Sequence, residues 1–332
     1  MTDGLTERAR AGDRRALARL LTEIENRTRA GEAALRELYP LAGKAHLVGV
    51  TGAPGSGKST LVAALVTEAR AAGRGRAVAV LAVDPSSPIT GGAILGDRVR
   101  MQGYAGDRDV FIRSMASRGH AGGLATSTVA AAAVLDAAGF PLIFIETVGT
   151  GQSEVEVAAI ADTTVVVESP EMGDEVQAIK AGLLEVGDLV VVNKGDRPGA
   201  QRAASQLRAM LTVGAQHDRA RGDRPTPKRP DVLLATATTG DGVPELLAAI
   251  DRRAPDRASD GKGSGQARLA RAEAQLAGIL AERVRERLHE PERTTLLESV
   301  LAEVAEHRLD PYAAADRLLE ALGLDDPGAG ER

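Results

Sequence analysis

Residues 46–60 read HLVGVTGAPGSGKST, and the architecture of the rest of the chain follows from them. The first residues are apolar and predict a short strand, while the apolar run at 61–66 predicts a helix. Between them, Gly-x-x-x-x-Gly-Lys-Ser runs from Gly52 to Ser59. A glycine loop between a strand and a helix can point its backbone N–H groups at a phosphate. We therefore predict a phosphate-binding loop, with Lys58 reaching the β- and γ-phosphates and the Ser59 hydroxyl on magnesium.

Length and composition limit the class of protein. With 332 residues the chain suits two domains, or one nucleotide-binding domain with additions. Its net charge of −5 argues against nucleic acid as the main partner. It has no cysteine, its charged N-terminal stretch does not resemble a secretory signal, and no uncharged apolar run approaches the ~20 residues that span a bilayer. These features predict a cytoplasmic protein with no membrane partner.

Further apolar runs predict more strands of the same sheet. They lack polar alternation, which is typical of strands buried on both faces of a parallel sheet. These runs occupy residues 77–83, 141–148, 163–167, 188–192 and 232–235. We predict an α/β fold of the P-loop NTPase type, a three-layer sandwich with a mostly parallel central sheet between helices.

Acidic residues stand where two of these runs end, which is where open α/β sheets bind their ligands. Asp84 fits an acid near magnesium and a turn cap equally well. Glu146 lies three residues before Gly149. In phosphate-loop enzymes such an acid holds the magnesium, and the N–H of such a glycine senses the γ-phosphate. Glutamate is one methylene longer than the usual aspartate, which favours contact through a magnesium-bound water.

Guanine recognition is predicted by a tetrad of the form Asn-Lys-x-Asp that ends in Asp196 and directly follows the run at 188–192. The Asp196 carboxylate can accept hydrogen bonds from the ring N1–H and the 2-amino group of guanine. Leaving such buried acceptors unpaired costs about 1–3 kcal/mol each, which discriminates against ATP. After the last strand, the backbone N–H of Ala237 is placed to bind the guanine oxygen.

The predicted nucleotide site therefore draws on three separate segments of the chain. The residues predicted to contact the nucleotide are Gly52, Ala53, Pro54, Gly55, Ser56, Gly57, Lys58, Ser59 and Thr60, then Asn193, Lys194 and Asp196, and finally Thr236, Ala237 and Thr238.

Helical segments flank the predicted nucleotide-binding domain. Apolar spacing predicts helices within 13–38, 267–289 and 293–323, the first with Asp13 as N-cap and the last beginning at Pro311. The composition predicts a flexible linker at 254–266 and a surface insertion at 212–230. We divide the chain into an N-terminal helical extension (1–40), a GTPase-type domain (41–255) and a C-terminal helical extension (256–332), a probable dimerisation arm.

Longer phrases link these motifs, and with them the chain resembles the MeaB/ArgK family of P-loop GTPases from about residue 10 to about residue 325. The family implies a homodimer that binds an adenosylcobalamin-dependent acyl-CoA mutase of the methylmalonyl-CoA mutase type. It implies a chaperone that gates cofactor loading and protects the mutase from inactivation. Beyond the motifs already quoted, the phrases that carry the resemblance are VDPSSP (83–88), TGGAILGDR (90–98), ETVGTGQSE (146–154) and GDEVQAIKAG (173–182).

The resemblance also implies roles for single residues in the hydrolysis of GTP to GDP. Asp97 would act at the magnesium ion and in the nucleotide-sensing switch segments, together with Asp84 and Glu146. The residues expected at the metal are therefore Ser59, Asp84, Asp97 and Glu146. The residues expected to take part in catalysis are Lys58, Asp97, Glu146 and Gly149. No glutamine follows Gly149 directly, which predicts slow intrinsic turnover that a partner accelerates.

Other functions stay open at this point. The chain also fits a metallochaperone-type GTPase for another enzyme, a regulatory nucleotide-binding module without meaningful hydrolysis, or a transport-system kinase. Five scattered histidines and no cysteine argue against nickel delivery.

Overall fold

The computed structural model describes residues 3–71, 75–85, 104, 106–117, 123–147, 152–170, 187–219, 230–254 and 262–324. The chain divides into two compact units, one up to Arg271 and one from Ala272 onward. The division at residues 40 and 255 that the sequence suggests stays a prediction.

A seven-stranded sheet forms the centre of the first unit, in the order β3-β2-β4-β1-β5-β6-β7. Every strand pairing among the described residues is parallel. The predicted α/β sandwich is confirmed, and its sheet is wholly parallel over these strands where a mostly parallel one was expected. The strands are β1 (His46–Thr51), β2 (Val78–Pro85), β3 (Val110–Ser117), β4 (Leu142–Thr147), β5 (Thr163–Glu168), β6 (Leu189–Val192) and β7 (Asp231–Leu234).

Helices cover both faces of this sheet. The bounds of the described helices are α1 (Asp3–Arg10), α2 (Arg14–Glu25), α3 (Arg29–Leu38), α4 (Lys58–Arg70), α5 (Gly123–Ala137), α6 (Gln152–Ile160), α7 (Ala200–Arg219), α8 (Val243–Asp251), α9 (Lys262–Leu288), α10 (Pro291–Ala305) and α11 (Pro311–Ala321).

Alternate residues of each central strand enter different core layers. In β4, Phe144 packs in the layer of α4 and α8, whereas Ile145 packs in the layer of α2, α5 and α6. In β5, Val166 packs in a third cluster with α7. Side chains that are buried on both faces explain why these strands read as continuous apolar runs.

Two aspartates help to fix the register of the central strands. Asp162 precedes β5, and its carboxylate accepts from the backbone N–H of Leu47 at 3.0 Å, while its own N–H donates to the Leu47 carbonyl at 2.8 Å. Asp188 precedes β6 and makes the same two bonds to Thr164, at 2.8 and 2.9 Å. Each aspartate thus anchors the start of one strand to its neighbour, which aligns the ends of β1, β5 and β6.

The N-terminal helices belong to the sandwich itself. Buried side chains of α2 share a core layer with β2 and β3. Arg113 of β3 donates to the carboxylate of Glu25 at 2.6 Å and to the hydroxyl of Thr22 at 3.1 Å. Asp13 caps α2 as predicted, by accepting from two backbone N–H groups of its first turn. The sequence reading did not single out α1.

The flexible linker predicted at 254–266 is wrong in part, whereas the surface insertion at 212–230 stays a prediction. The linker predicted at 254–266 is partly helical, because α9 already begins at Lys262. The insertion predicted at 212–230 is helical as far as Arg219, because α7 continues into it. In both places an existing helix is extended, which costs far less than starting a new one.

The second unit contains the end of α9 together with α10 and α11. Val300 of α10 and Ala314 of α11 are buried, and Arg317 donates to Glu303 at 3.2 Å across the two helices. Large apolar side chains remain exposed on this unit, among them Leu276, Leu280, Leu301 and Tyr312. In the part of the chain that the structure describes, no helix is long and apolar enough to cross a bilayer.

Candidate nucleotide-binding site

The glycine loop that follows β1 takes a conformation that only glycine tolerates at two of its positions. Gly52 and Gly57 have φ angles of +135° and +91°. A Cβ on Gly52 would lie 2.1 Å from the carbonyl oxygen of Val167, and one on Gly57 would lie 2.4 Å from Nδ2 of Asn193. The loop is therefore pressed against the ends of β5 and β6, which requires the absence of side chains at both positions.

Lys58 begins α4 and turns its side chain back over the loop. Its Nζ donates to the carbonyl oxygens of Gly52 and Ala53, at 2.7 and 3.1 Å, and the side chain is buried. These bonds hold a positive charge at the loop, beside the N-terminal end of α4.

Ser59 meets the acid at the end of β4. Its hydroxyl donates to Oε1 of Glu146 at 2.5 Å, and the two residues are only 8% and 2% exposed. The parallel register pairs Val50 with Glu146, so the acid stands beside the end of the strand that leads into the glycine loop. The structure thus joins two residues that the sequence singled out 87 positions apart.

Asn193 ties all three predicted segments together. Its Nδ2 donates to the carbonyl of Ser56 in the glycine loop at 3.0 Å. Its Oδ1 accepts from the backbone N–H of Ala237 at 3.1 Å, and its own backbone N–H donates to the carbonyl of Glu168 at 2.8 Å. One buried amide therefore links the glycine loop, the tetrad after β6 and the loop after β7.

The loops after β6 and β7 are held against each other by backbone bonds. Lys194 has a positive φ of 55°, and the next residue, Gly195, donates its N–H to the carbonyl of Ala235 at 2.9 Å. Thr236 donates its N–H to the carbonyl of Asp241 at 2.8 Å. Asp196 is exposed, so its carboxylate is accessible to a ligand.

Salt bridges fix the far end of α4. Arg70, its last residue, donates to Asp107 at 3.0 Å and to Asp109 at 2.9 Å. The pKa of Asp107 is lowered, first by the backbone N–H of Asp109 and then by the Arg70 guanidinium, and the pKa of Arg70 is raised by the same carboxylate. The helix that begins at the glycine loop is thus held at both ends.

Comparison with known proteins identifies the family. A sequence model described as methylmalonyl Co-A mutase-associated GTPase MeaB matches residues 17–293. The chain belongs to the MeaB family of GTPases. A protein of Pyrococcus horikoshii named as a GTPase is 44% identical over 324 residues, which cover 96% of this chain and 98% of its own length. GTPase ArgK of Escherichia coli K12 is 39% identical over 251 residues, or 73% of each chain.

One solved structure supports the same assignment. The crystal structure of a LAO/AO transport system kinase covers 97% of this chain and 97% of its own, with 26% identity and a TM-score of 0.66. The resemblance to the MeaB/ArgK family that the motifs indicated is confirmed, and this MeaB-family chain is a GTPase.

Some predicted site residues of this MeaB-family GTPase cannot be placed. Asp97 and Gly149 lie outside the described residues. Asp84 is the last residue but one of β2, and the register pairs Val83 just before it with Thr147 of β4. Its backbone therefore lies at the same edge of the sheet as the glycine loop.

The remaining predicted contacts differ in exposure. Pro54, Gly55 and Thr238 are exposed, and Thr60 is half-buried. Ser56 is fully buried, and its carbonyl accepts from Asn193.

The sequence reading missed two polar side chains next to the site. Thr51 ends β1 directly before Gly52, and Thr147 ends β4 directly after Glu146. Both are fully buried. The available signal was a hydroxyl that closes an otherwise apolar strand immediately beside a functional motif.

Proposed function

We propose that this chain is a cytoplasmic GTPase that acts as a chaperone of an adenosylcobalamin-dependent acyl-CoA mutase of the methylmalonyl-CoA mutase type. In this role it gates cofactor loading and protects the mutase from inactivation. The observation that carries the guanine-nucleotide part is the position of Asn193, which links the phosphate loop to both base-side loops. The mutase part is supported by the description of the family as mutase-associated.

The nucleotide lies, in this proposal, across the carboxyl ends of β1, β6 and β7. The backbone N–H groups of the glycine loop and the Lys58 ammonium bind the phosphates. Asp196 binds the guanine N1–H and 2-amino group. The Ala237 N–H faces the guanine oxygen, which would share this donor with Oδ1 of Asn193 or replace it.

The residues beside the loop fit a magnesium ion. Ser59 Oγ donates to Glu146 Oε1 at 2.5 Å, an arrangement in which the hydroxyl oxygen can bind magnesium while the carboxylate accepts from a magnesium-bound water. Among the described residues no cluster of three acidic, histidine or cysteine side chains could hold a metal by itself. Magnesium keeps several waters and binds phosphate oxygens, so it needs few protein ligands. When bound, it would neutralise the charge that develops on the phosphates.

Hydrolysis proceeds by in-line attack of water on the γ-phosphorus. The bond to the β–γ bridging oxygen breaks, and GDP and inorganic phosphate form. Lys58 and the loop amides stabilise the charge in the transition state. Because Thr150 stands directly after Gly149, where many GTPases place a water-orienting glutamine, we propose slow intrinsic turnover that the client mutase accelerates.

Base specificity gives the first prediction. Replacing Asp196→Asn should weaken GTP binding about 100-fold, because two hydrogen bonds to a carboxylate are lost. The asparagine amide instead complements xanthine, so XTP binding should improve. Lys58→Ala is the control and should bind neither nucleotide. Titrations with fluorescent nucleotide analogues measure both affinities. Equal weakening for GTP and XTP in a folded Asp196→Asn protein would contradict the assigned role.

Magnesium dependence gives the second prediction. Glu146→Gln keeps an acceptor for the Ser59 hydroxyl but removes the negative charge. We expect the magnesium concentration at half-maximal GTP binding to rise about tenfold or more, with GDP binding in EDTA unchanged. Glu168→Gln is a matched control, since Glu168 is also buried at a strand end. An unchanged magnesium midpoint in Glu146→Gln would remove this residue from the metal site.

The client gives the third prediction. The chain should co-elute with an adenosylcobalamin-dependent mutase, to a different extent in GDP and in a non-hydrolysable GTP analogue. Turnover at saturating GTP should rise when the mutase is added. Equal rates with and without each candidate mutase, together with no complex, would count against the chaperone role.

The same samples distinguish the other functions. Bound transition metal would favour a metallochaperone, and the absence of any product in a single-turnover assay would favour a regulatory module. Transfer of the γ-phosphate to a protein would favour a kinase role, as the name of the similar solved structure suggests for that protein.

The oligomeric state gives the fourth prediction. We propose a homodimer formed by the second unit, because Leu276, Leu280 and Leu301 are exposed there. Light scattering should give twice the mass of the chain. The double change Leu276→Asp with Leu280→Asp should give a monomer that still binds GTP. Met210→Asp, at an exposed apolar position of α7, should leave the dimer intact. A monomeric natural chain would refute the proposal.

A further inference from the structure

Two threonines lie between the phosphate loop and the acid of β4. Thr51 ends β1 and Thr147 ends β4, and both are 0% exposed. The hydroxyl of Thr147 donates to that of Thr51 at 3.4 Å. Within the described part of the chain, neither hydroxyl has another hydrogen bond.

Their position in the register is distinctive. The last backbone pair between β1 and β4 is Val50 with Glu146, so the two threonines face each other one step further along. Gly52 of the glycine loop follows Thr51 directly. The hydroxyl contact therefore extends the pairing of these two strands by one residue.

The contact lies on the face of the sheet opposite α4. Gly49, two residues before Thr51 in β1, packs against Val157 of α6. Since alternate residues of a strand share a face, Thr51 points towards the same layer. Glu146 meets α4 on the other face, through Ser59. The two threonine hydroxyls thus lie on the face of the sheet opposite to the contact between Ser59 and Glu146.

Stability does not explain two hydroxyls at these positions. Burying a hydroxyl is costly unless it is well hydrogen-bonded, and 3.4 Å is long for an O–H···O bond. Valine has nearly the same shape, and replacing both partners of a buried bond by apolar groups of that shape can be neutral or stabilising. A role in geometry accounts better for a weak, directional contact at this place.

We propose that Thr51 and Thr147 are a positioning pair that sets the separation between the phosphate loop and the strand end carrying Glu146. The inference rests on the proposed roles of Ser59 and Glu146 in the nucleotide site. GDP binding depends mainly on the loop and the base-side segments, which Asn193 and the close packing of Gly52 on β5 hold together through contacts that do not involve the pair. Hydrolysis depends on how the metal-side acid and the γ-phosphate are aligned, and small misplacements there reduce rates strongly.

Valine substitutions test the pair and give the fifth prediction. Thr51→Val, Thr147→Val and the double variant should keep the midpoint of chemical unfolding and should bind GDP within about twofold of the natural chain. Their kcat should fall about tenfold, with KM for GTP changed much less. The double variant should be no slower than the single ones, since they remove one shared contact. Thr147→Ser, which keeps the hydroxyl, should have a kcat close to that of the natural chain.

Thr128→Val is the matched control. Thr128 lies on α5, is also fully buried, and its hydroxyl has no hydrogen-bond partner among the described residues. This change should leave kcat unaltered. If the natural chain binds no GTP, the proposed function fails before the pair is tested. If the natural chain hydrolyses GTP and the valine variants match its kcat, or lose kcat only together with unfolding stability, the positioning role is overturned.

Discussion

Parallel pairing of β1 with its two neighbours is the constraint on which the site depends. Because β4, β1 and β5 run in the same direction, their carboxyl ends meet at one edge of the sheet. The glycine loop leaves from the middle strand and is confined on both sides. On one side it contacts the end of β5 so closely that Gly52 has no room for a side chain. On the other side Ser59 reaches Glu146 at the end of β4.

Much of this arrangement could be predicted because it depends on short sequence motifs. The glycine loop, the apolar strands and the tetrad ending in Asp196 each depend on residues that are neighbours in sequence. Strand order is different, since an apolar run identifies a buried strand without naming its partners. The bond between Ser59 and Glu146 and the bridge made by Asn193 therefore became visible only with the fold.

Segment ends were the least predictable features, for a physical reason. Composition suggested a linker before α9, yet the helix begins at Lys262 and includes two of the three glycines of that segment, Gly263 and Gly265. Extension of an existing helix is cheap, so a few poor helix formers do not decide where it starts. The role of the N-terminal helices was also hidden, because the partners of α2 are Arg113 and the core side chains of β2 and β3, far along the chain.

In the proposed site, the residues that recognise guanine and those that affect the rate of GTP hydrolysis lie on different halves of the sheet. The residues proposed to bind the base follow β6 and β7, whereas two of the proposed metal-side acids, Asp84 and Glu146, lie on β2 and β4. In the strand order β1 stands between these two halves. Asn193 joins the loop to the proposed base side by hydrogen bonds to the backbone of Ser56 and Ala237. Among the described residues, β4 makes two side-chain contacts here beyond its backbone pairing with β1: Glu146 accepts from Ser59, and Thr147 makes the long hydroxyl contact with Thr51. A partner that alters hydrolysis without changing guanine recognition would act most directly on this second half, because small displacements there cost few hydrogen bonds.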